Sequence, residues 1–200
     1  MREGVFRPKQ VFLEGFDFNE GLSMLMIEWL ALQDPKALFP PDRPRLPGQE
    51  HPGMGMLKYM QGVLFSFGRE TYKDAIIDIP EFYHSAVIYS RLYSELYSRS
   101  YSFFSPVDAG QLQAMLRDFK EFPLADVSFA VALDCLRNSD NTPASWKPSE
   151  QIYPISEKLH KYFDHALYRG AAERAAGQFS FIMDWDRFRC LRKQGLTNEL

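Results

Sequence analysis

A stretch rich in proline and glycine, residues 40–55, constrains the fold of this chain more than any other feature. It holds five of the thirteen prolines together with Gly48, Gly53 and Gly55, and it carries almost no apolar side chains. Because proline fixes φ and lacks a backbone donor, the stretch cannot continue a helix on either side and should be stiff and extended. It could link two domains, but a long ordered loop inside one domain is more often functional, so we expect any binding site here.

Two apolar patterns precede this loop. Residues 11–18 (VFLEGFDF) alternate imperfectly, which predicts a strand that runs into a helix cap at Asn19. Apolar residues then recur at three- and four-residue spacing, which predicts a core-facing helix that Asp34-Pro35 should stop. The residues of that apolar stripe are Leu22, Leu25, Met26, Trp29 and Leu30.

After the loop we expect a helix, a strand and a second helix. Gly68 is the natural end of the first helix, and residues 75–79 (AIIDI) form a short apolar run typical of a buried strand. Pro80 suits the first turn of the next helix, which should run to about Tyr97. The apolar stripe of the first helix consists of Met56, Met60, Val63, Leu64 and Phe67.

The second half of the chain begins with a strong helix start. Ser105 is the cap, Pro106 follows it, and the helix should end at Pro123. Apolar residues then alternate over 127–135, which predicts a strand with one buried face. Residues 151–155 (QIYPI) could return as its hairpin partner.

Two further helices complete the prediction of the fold. Pro154 would confine the hairpin strand to an edge, and helices should begin at Ser156 and Asp184. The whole order predicts an α+β fold with a mixed sheet core flanked by helices, a C-terminal β-hairpin and C-terminal helices. We expect residues 1–104 to form one half and residues 105–200 the other, packed on the same core.

Charge and composition exclude several classes of partner. The net charge is -3 and the pI about 5.8, so no overall field attracts the chain to nucleic acid or to an anionic membrane. Two cysteines are too few for a disulfide scaffold, which fits a reducing compartment. The N-terminus is polar, and no run of apolar residues is long enough to span a bilayer. We therefore expect a cytoplasmic protein that binds neither nucleic acid nor membranes.

A Gly-x-Gly turn, Gly53-Met54-Gly55, lies directly before the helix predicted from Met56. Glycine lets a backbone approach a ligand closely, and the free N–H groups of a first helical turn bind anions such as a diphosphate. Positive charge for such an anion could come from three nearby side chains, Arg43, Arg45 and Lys58. A simple turn and helix cap is the alternative interpretation.

The turn and the elements after it resemble the cofactor-binding half of the GNAT acyltransferases over about residues 49–93. In that family a Gln/Arg-x-x-Gly-x-Gly/Ala loop holds the pyrophosphate of acyl-CoA, and the helix after the next strand carries an Asn-x-x-Ala-x-x-Leu-Tyr signature. Ala86 and Tyr89 lie on the corresponding helix here. The resemblance implies a protein that binds acetyl-CoA or another acyl-CoA and transfers its acyl group to an amine of a small molecule or a peptide.

The resemblance also implies roles for individual residues. Tyr89, or else Tyr93 one turn later, would protonate the departing thiolate. Glu14, on the strand predicted before the first helix, is the best candidate for the base that takes the proton of the amine. The diphosphate would be held by the backbone N–H groups around Gly53, Met54, Gly55 and Met56.

A ladder of tyrosines suggests an alternative function. Tyr89, Tyr93, Tyr97 and Tyr101 repeat every four residues. Such a ladder could line a pocket for an aromatic ligand, as in a small-ligand carrier, but a half-buried helix face or a homodimer contact is the simpler interpretation. The chain could therefore be a non-catalytic interaction or assembly module that uses this face.

The histidines and carboxylates do not predict a metal centre. His160 and His165 are five residues apart, whereas two ligands on one helix face are spaced by four. A group near the loop and the predicted strand could still converge in space, namely Glu50, His51, Asp78, Glu81 and His84. Polar residues at the ends of strands and helices explain this group more simply, so we expect no metal.

Overall fold

The computed structural model describes residues 1–28, 30–92, 100–147 and 149–198, and it has the α+β fold that the sequence predicts. The helices are α1 (Leu57–Glu70), α2 (Tyr83–Arg91), α3 (Pro106–Asp118), α4 (Leu124–Ala132), α5 (Glu157–Asp164), α6 (Ala166–Gln178) and α7 (Trp185–Lys193). The strands are β1 (Arg2–Phe6), β2 (Leu22–Ile27), β3 (Ala75–Asp78), β4 (Ser102–Phe103), β5 (Leu136–Asn138), β6 (Gln151–Pro154) and β7 (Phe181–Met183). Among these described residues, no helix has the length and apolar character needed to cross a bilayer.

Five strands form one mixed sheet in the order β1-β2-β3-β6-β4. The central pair β2 and β3 is parallel, and the other neighbours are antiparallel. In the parallel pair Ile27 lies opposite Asp78, so β2 and β3 end side by side at one edge of the sheet. Strand β6, from the second half of the chain, pairs with β3 from the first, so both halves share this sheet.

The helix predicted over residues 22–34 is wrong, because this segment contains strand β2. The strand is covered on both faces: Met24 packs with Phe104, and Leu25 packs with Phe65 of α1. A strand buried on both faces has no polar alternation, and its apolar run can imitate helical spacing. Of the predicted stripe, Trp29 lies outside the described residues.

The strand predicted over residues 11–18 is also wrong. This segment is a loop between β1 and β2, and its three phenylalanines pack with Leu13 in one apolar cluster, while Val11 is exposed. Phe16 and Phe18, for example, both meet the ring of Tyr162 edge to face, at 5.3 and 5.4 Å. The apolar pattern therefore reflects ring packing and not strand pairing, and Glu14 between the rings is exposed.

The strand predicted over residues 127–135 is helix α4 for most of its length. Helix α4 is buried on nearly all sides. The alternation of larger and smaller residues in its sequence therefore does not separate a buried face from an exposed one. Its expected hairpin partner forms β6, which pairs with β3 and β4, while β5 pairs with β7 in a small second sheet. Pro154 can be accommodated in β6 because β4 pairs only with Gln151 and Ile152. No backbone N–H of residue 154 is therefore needed on the β4 side of the strand.

Helix α1 is confirmed, but its packing differs from the prediction. Gly68 does not end the helix: it is buried within α1, where an added Cβ would lie 2.6 Å from the side chain of Ile155. The buried face consists of Gln61, Leu64, Phe65 and Gly68. Three residues of the predicted stripe are therefore exposed, namely Met56, Val63 and Phe67.

The other helix starts follow the sequence closely. The hydroxyl of Ser105 accepts a hydrogen bond from the amide of Asp108, and Asp184 caps α7 in the same way. Strand β3 is confirmed, and α2 follows it, although Pro80 precedes this helix instead of lying in its first turn. The helix from Ser156 ends at Asp164, and α6 begins as a separate helix.

The tyrosine ladder is not one continuous helix face. Helix α2 ends at Arg91, and Tyr101 lies beyond it, fully buried beside β4. Tyr89 is half-buried and its ring lies 5.0 Å from that of Tyr101. Tyr93 and Tyr97 lie outside the described residues.

Candidate functional site

A cleft of about 660 Å³ is lined by the segments that follow the parallel strands β2 and β3. One side, which we call the loop wall, is formed by residues 30–57 and contains the proline-rich loop. The other side, the helix wall, is formed by Phe82, His84, Ser85, Ile88 and Tyr89 at the start of and along α2. This volume suits a medium-sized organic ligand, and the exits of parallel strands commonly form such sites.

The loop wall is held in place by its own backbone. The amide of Met54 donates to the carbonyl of Leu32, and the amide of Asp34 donates to the carbonyl of Pro52, both at 2.8 Å. The side-chain oxygen of Gln33 accepts from the amides of residues 50 and 51, at 3.1 and 2.7 Å. The loop therefore returns to the segment from which it departed, whereas the sequence predicts a stiff and extended stretch.

A second contact joins the loop wall to the helix wall. Gly48 has a φ of +74°, a conformation that favours glycine, and an added Cβ there would lie 2.6 Å from the ring of Phe82. The turn around it is closed by hydrogen bonds between Leu46 and Gln49, one of them to the side chain of Gln49. Close packing at Gly48 thus sets the separation of the two walls.

The predicted anion site lies where the loop wall enters α1. Gly55 has a φ of +70°, and Met56 is the N-cap residue, with no side chain capping the helix. Gly53 and Gly55 line the cleft, whereas Met54 and Met56 are exposed away from it. The amide of Met54 is used by Leu32, so it is not available to a ligand.

The two arginines of the loop have different positions. Arg43 lines the cleft and is well exposed. Arg45 does not line it, because its guanidinium donates to the backbone carbonyls of Gln49 and Thr197. Arg45 therefore ties the loop to the end of the chain, and of the two arginines it is Arg43 that lines the cleft.

Tyr89 lies in the helix wall, as its predicted role requires. Burial and the nearby carboxylate of Asp78 raise the pKa of Tyr89 well above its usual value. The phenol is therefore neutral at physiological pH and can donate a hydrogen bond or a proton. Glu14 does not line the cleft, since it lies in the exposed loop between β1 and β2.

Two further ionisable residues are buried in this region, Asp78 near Tyr89 and His84 in the lining of the cleft, and the sequence placed both only in the group considered as a metal site. Asp78 ends β3 and is 9% exposed, and burial raises its pKa to about 6. His84 is 6% exposed, and burial lowers its pKa to about 4. The signal that could have found them is their position, one at the end of a buried strand and one at the start of the next helix.

The metal group considered from the sequence does not assemble. Among the residues that the structure describes, no three histidine, cysteine or carboxylate side chains come together in a way that could hold an ion. Asp78 and His84 are therefore best considered as single proton-exchanging groups.

Comparison with known proteins adds no relative to this description. The chain matches no protein-family model, and neither a curated protein nor a solved structure is similar enough to count as a match.

Proposed function

We propose that this chain binds an acyl-CoA in the cleft and transfers the acyl group to an amine, the activity that the resemblance to GNAT acyltransferases implies. The observation that carries the proposal is the meeting of three features in one cleft. These are the Gly-x-Gly turn, the start of α1 without a side-chain cap, and the phenol of Tyr89. The turn and the start of α1 are adjacent in sequence, whereas Tyr89 comes from α2, so the fold is what brings the phenol to the turn.

The order of elements supports the same proposal. The chain passes from β2 through the proline-rich loop into α1, then through β3 into α2. The resemblance requires a glycine loop, a helix, a strand and a tyrosine-bearing helix in that order. Because β2 and β3 are parallel neighbours, the loop and α2 leave the sheet at the same edge.

The anionic part of the cofactor would bind at the start of α1. The amides of Gly55, Met56 and Leu57 are suited to this role, because an uncapped helix N-terminus has N–H groups without intrahelical partners. Arg43 and Lys58 would add positive charge. An acyl-CoA would supply the reactive thioester, which the cleft would hold between its two walls.

The chemistry assigned to this chain in the transfer itself is proton donation by Tyr89. Its raised pKa keeps the phenol protonated until a basic thiolate forms. A thiolate that departs into a partly buried cleft needs such a donor, because burial disfavours its charge.

Calorimetric titration with acetyl-CoA and with CoA tests the proposal. We expect saturable binding of both, and about tenfold weaker binding by the variant Lys58→Glu, which corresponds to about 1.4 kcal/mol. A glutamate in the first turn favours the helix dipole, so this variant should fold at least as well as the original chain while opposing an anionic ligand. Lys120→Glu, beyond the end of α3, is the matched control and should bind normally. Absence of heat at millimolar ligand with folded protein would refute the proposal.

A further inference from the structure

The helix wall contains a buried histidine, His84. His84 is only 6% exposed, yet it lines the cleft. Its Nδ1 lies 2.8 Å from the hydroxyl oxygen of Ser128 on α4, the helix that packs against α2. With Nδ1 engaged, Nε2 is the ring nitrogen left for a ligand, and it makes no hydrogen bond to the described residues.

Two contacts fix the orientation of this imidazole. Its ring lies nearly parallel to that of Phe82, with centroids 5.5 Å apart and an interplanar angle of 14°. Ser128 is 1% exposed, so bulk water does not compete with His84 for its hydroxyl group. A group held in this way acts on a bound ligand without first losing side-chain freedom.

The surroundings of His84 keep it neutral at pH 7. Burial is the cause of its lowered pKa, because the charged imidazolium is poorly solvated there. Arg43 and Tyr89 line the same cleft, and on α4 the charged residue nearest in sequence to Ser128 is Asp126, which pairs with Arg192 at 3.1 Å. A neutral imidazole in this cleft remains available as a proton acceptor.

We propose that His84 accepts the proton of the acceptor amine through Nε2, and that Ser128 is the residue that positions it. His84 has this role only if the cleft performs the proposed acyl transfer, and it then replaces Glu14, which lies outside the cleft. His84 and Tyr89 are five residues apart on α2, so their Cα atoms are separated by about 7.5 Å along the helix axis. Five residues also rotate the side chain by about 140° around the helix. Both residues nevertheless line the cleft, so a thioester carbon bound there would have access to the proton acceptor and to the proton donor.

Bonds and protons balance in this scheme. The lone pair of the neutral amine attacks the thioester carbon, so that a C–N bond forms and the C–S bond breaks. The proton of the amine passes to Nε2 of His84, and the hydroxyl proton of Tyr89 passes to the leaving sulfur. The imidazolium then returns its proton to the phenolate, because burial makes the first a stronger acid and the second a stronger base.

The test measures release of CoA from acetyl-CoA in the presence of primary amines, from methylamine to spermidine. His84→Asn is the decisive variant, because the asparagine amide lies near the position of Nδ1 and can keep the contact with Ser128 while Nε2 is removed. We expect kcat/KM to fall by about 10²–10⁴-fold, with the dissociation constant of acetyl-CoA changed by less than about threefold. For His84→Ala we expect the same loss, and partial recovery of the rate when free imidazole is added.

Ser128→Ala tests the positioning role separately. We expect a smaller fall in kcat, of about tenfold, together with a change in the pH profile of kcat, because the ring loses the contact that fixes Nδ1. A purely structural role would lower thermal stability and leave that profile unchanged.

The outcomes separate the two proposals. Equal rates of CoA release for the original chain and His84→Asn would overturn the assignment of His84 and leave the proposed acyl transfer intact. Binding of acetyl-CoA without CoA release by the original chain would overturn the transfer step itself, together with the role of His84 in it, and leave only cofactor binding. Absence of acetyl-CoA binding in the calorimeter would instead remove the proposed function, and the role of His84 in it.

Discussion

The two walls of the cleft differ in what they offer to a ligand. The loop wall consists of backbone groups, prolines and glycines held by hydrogen bonds between its two ends. The helix wall offers side chains that exchange protons, His84 and Tyr89, both with pKa values shifted by burial. Under the proposed function, shape and anion binding would depend on the first wall and proton transfer on the second, so substitutions in each should have different effects.

The largest stability effect is expected where the walls touch. Gly48→Ala forces an alanine into a φ of +74° and places its Cβ 2.6 Å from the ring of Phe82. Strain and overpacking together should lower the free energy of unfolding by about 3 kcal/mol, which urea unfolding measures. Gly62→Ala in α1, where an added Cβ meets nothing, is the control and should stabilise by about 0.5–1 kcal/mol. Equal stability of Gly48→Ala and the original chain would show that the walls do not touch as described.

The second effect concerns the carboxyl group beneath the helix wall. Because burial raises the pKa of Asp78 to about 6, the folded chain favours its neutral form. Ionisation of this buried carboxyl group destabilises the folded chain. The destabilisation is absent below the pKa of the unfolded state near 4 and complete above pH 6, so the free energy of unfolding falls as the pH rises between these values. Asp78→Asn should therefore increase the free energy of unfolding at pH 7 by about 2 kcal/mol.

The pH dependence provides the check on Asp78. The advantage of Asp78→Asn should decrease as the pH is lowered and disappear below about pH 4, as urea unfolding at several pH values would show. The exposed Asp140, whose pKa is lowered by hydrogen bonds to Thr142, is the control, and Asp140→Asn should give no gain at pH 7. A gain for Asp78→Asn that is independent of pH would mean that the carboxyl group is not the cause.

The smallest effect separates the two glycines of the turn. Gly55→Ala places alanine at a φ of +70° with no steric contact, so it should destabilise by about 1 kcal/mol. Gly53 does not have a positive φ, and an added Cβ would lie 3.8 Å from the carbonyl oxygen of Leu32, so Gly53→Ala should change stability by less than about 0.5 kcal/mol. If a diphosphate approaches this backbone, Gly53→Ala should weaken acetyl-CoA binding despite normal stability. Normal affinity in calorimetry would place the ligand elsewhere in the cleft.

The sequence correctly predicts those helices and strands whose ends are marked by a local feature, such as a helix cap or a proline. The cap at Ser105, the cap at Asp184 and the apolar run before Pro80 depend on local hydrogen bonding or burial, and each marks an element of the structure. Strand β2 and helix α4 were mistaken for each other's type because both are buried on nearly all sides. Where no face is exposed, the spacing of apolar residues does not distinguish a helix from a strand, and tertiary packing decides between them.

The site shows the same division. The glycines of the loop were singled out because a turn before a helix is a local pattern, and Tyr89 was singled out by the resemblance to the acyltransferase signature. The contact between His84 and Ser128 joins residues 44 positions apart, and no local pattern indicates it. The contacts of Arg45 with the far end of the chain were equally hidden.

The paired amides and carbonyls of residues 32–34 and 52–54 close the proline-rich segment into a ring. Chain inside such a ring can lengthen or shorten at small entropic cost, since closure entropy grows only slowly with length. Insertions at the exposed apex near Asp42 would therefore change the volume of the cleft without moving the start of α1. Such insertions would change the size of ligand that the cleft admits while leaving the helix wall unchanged.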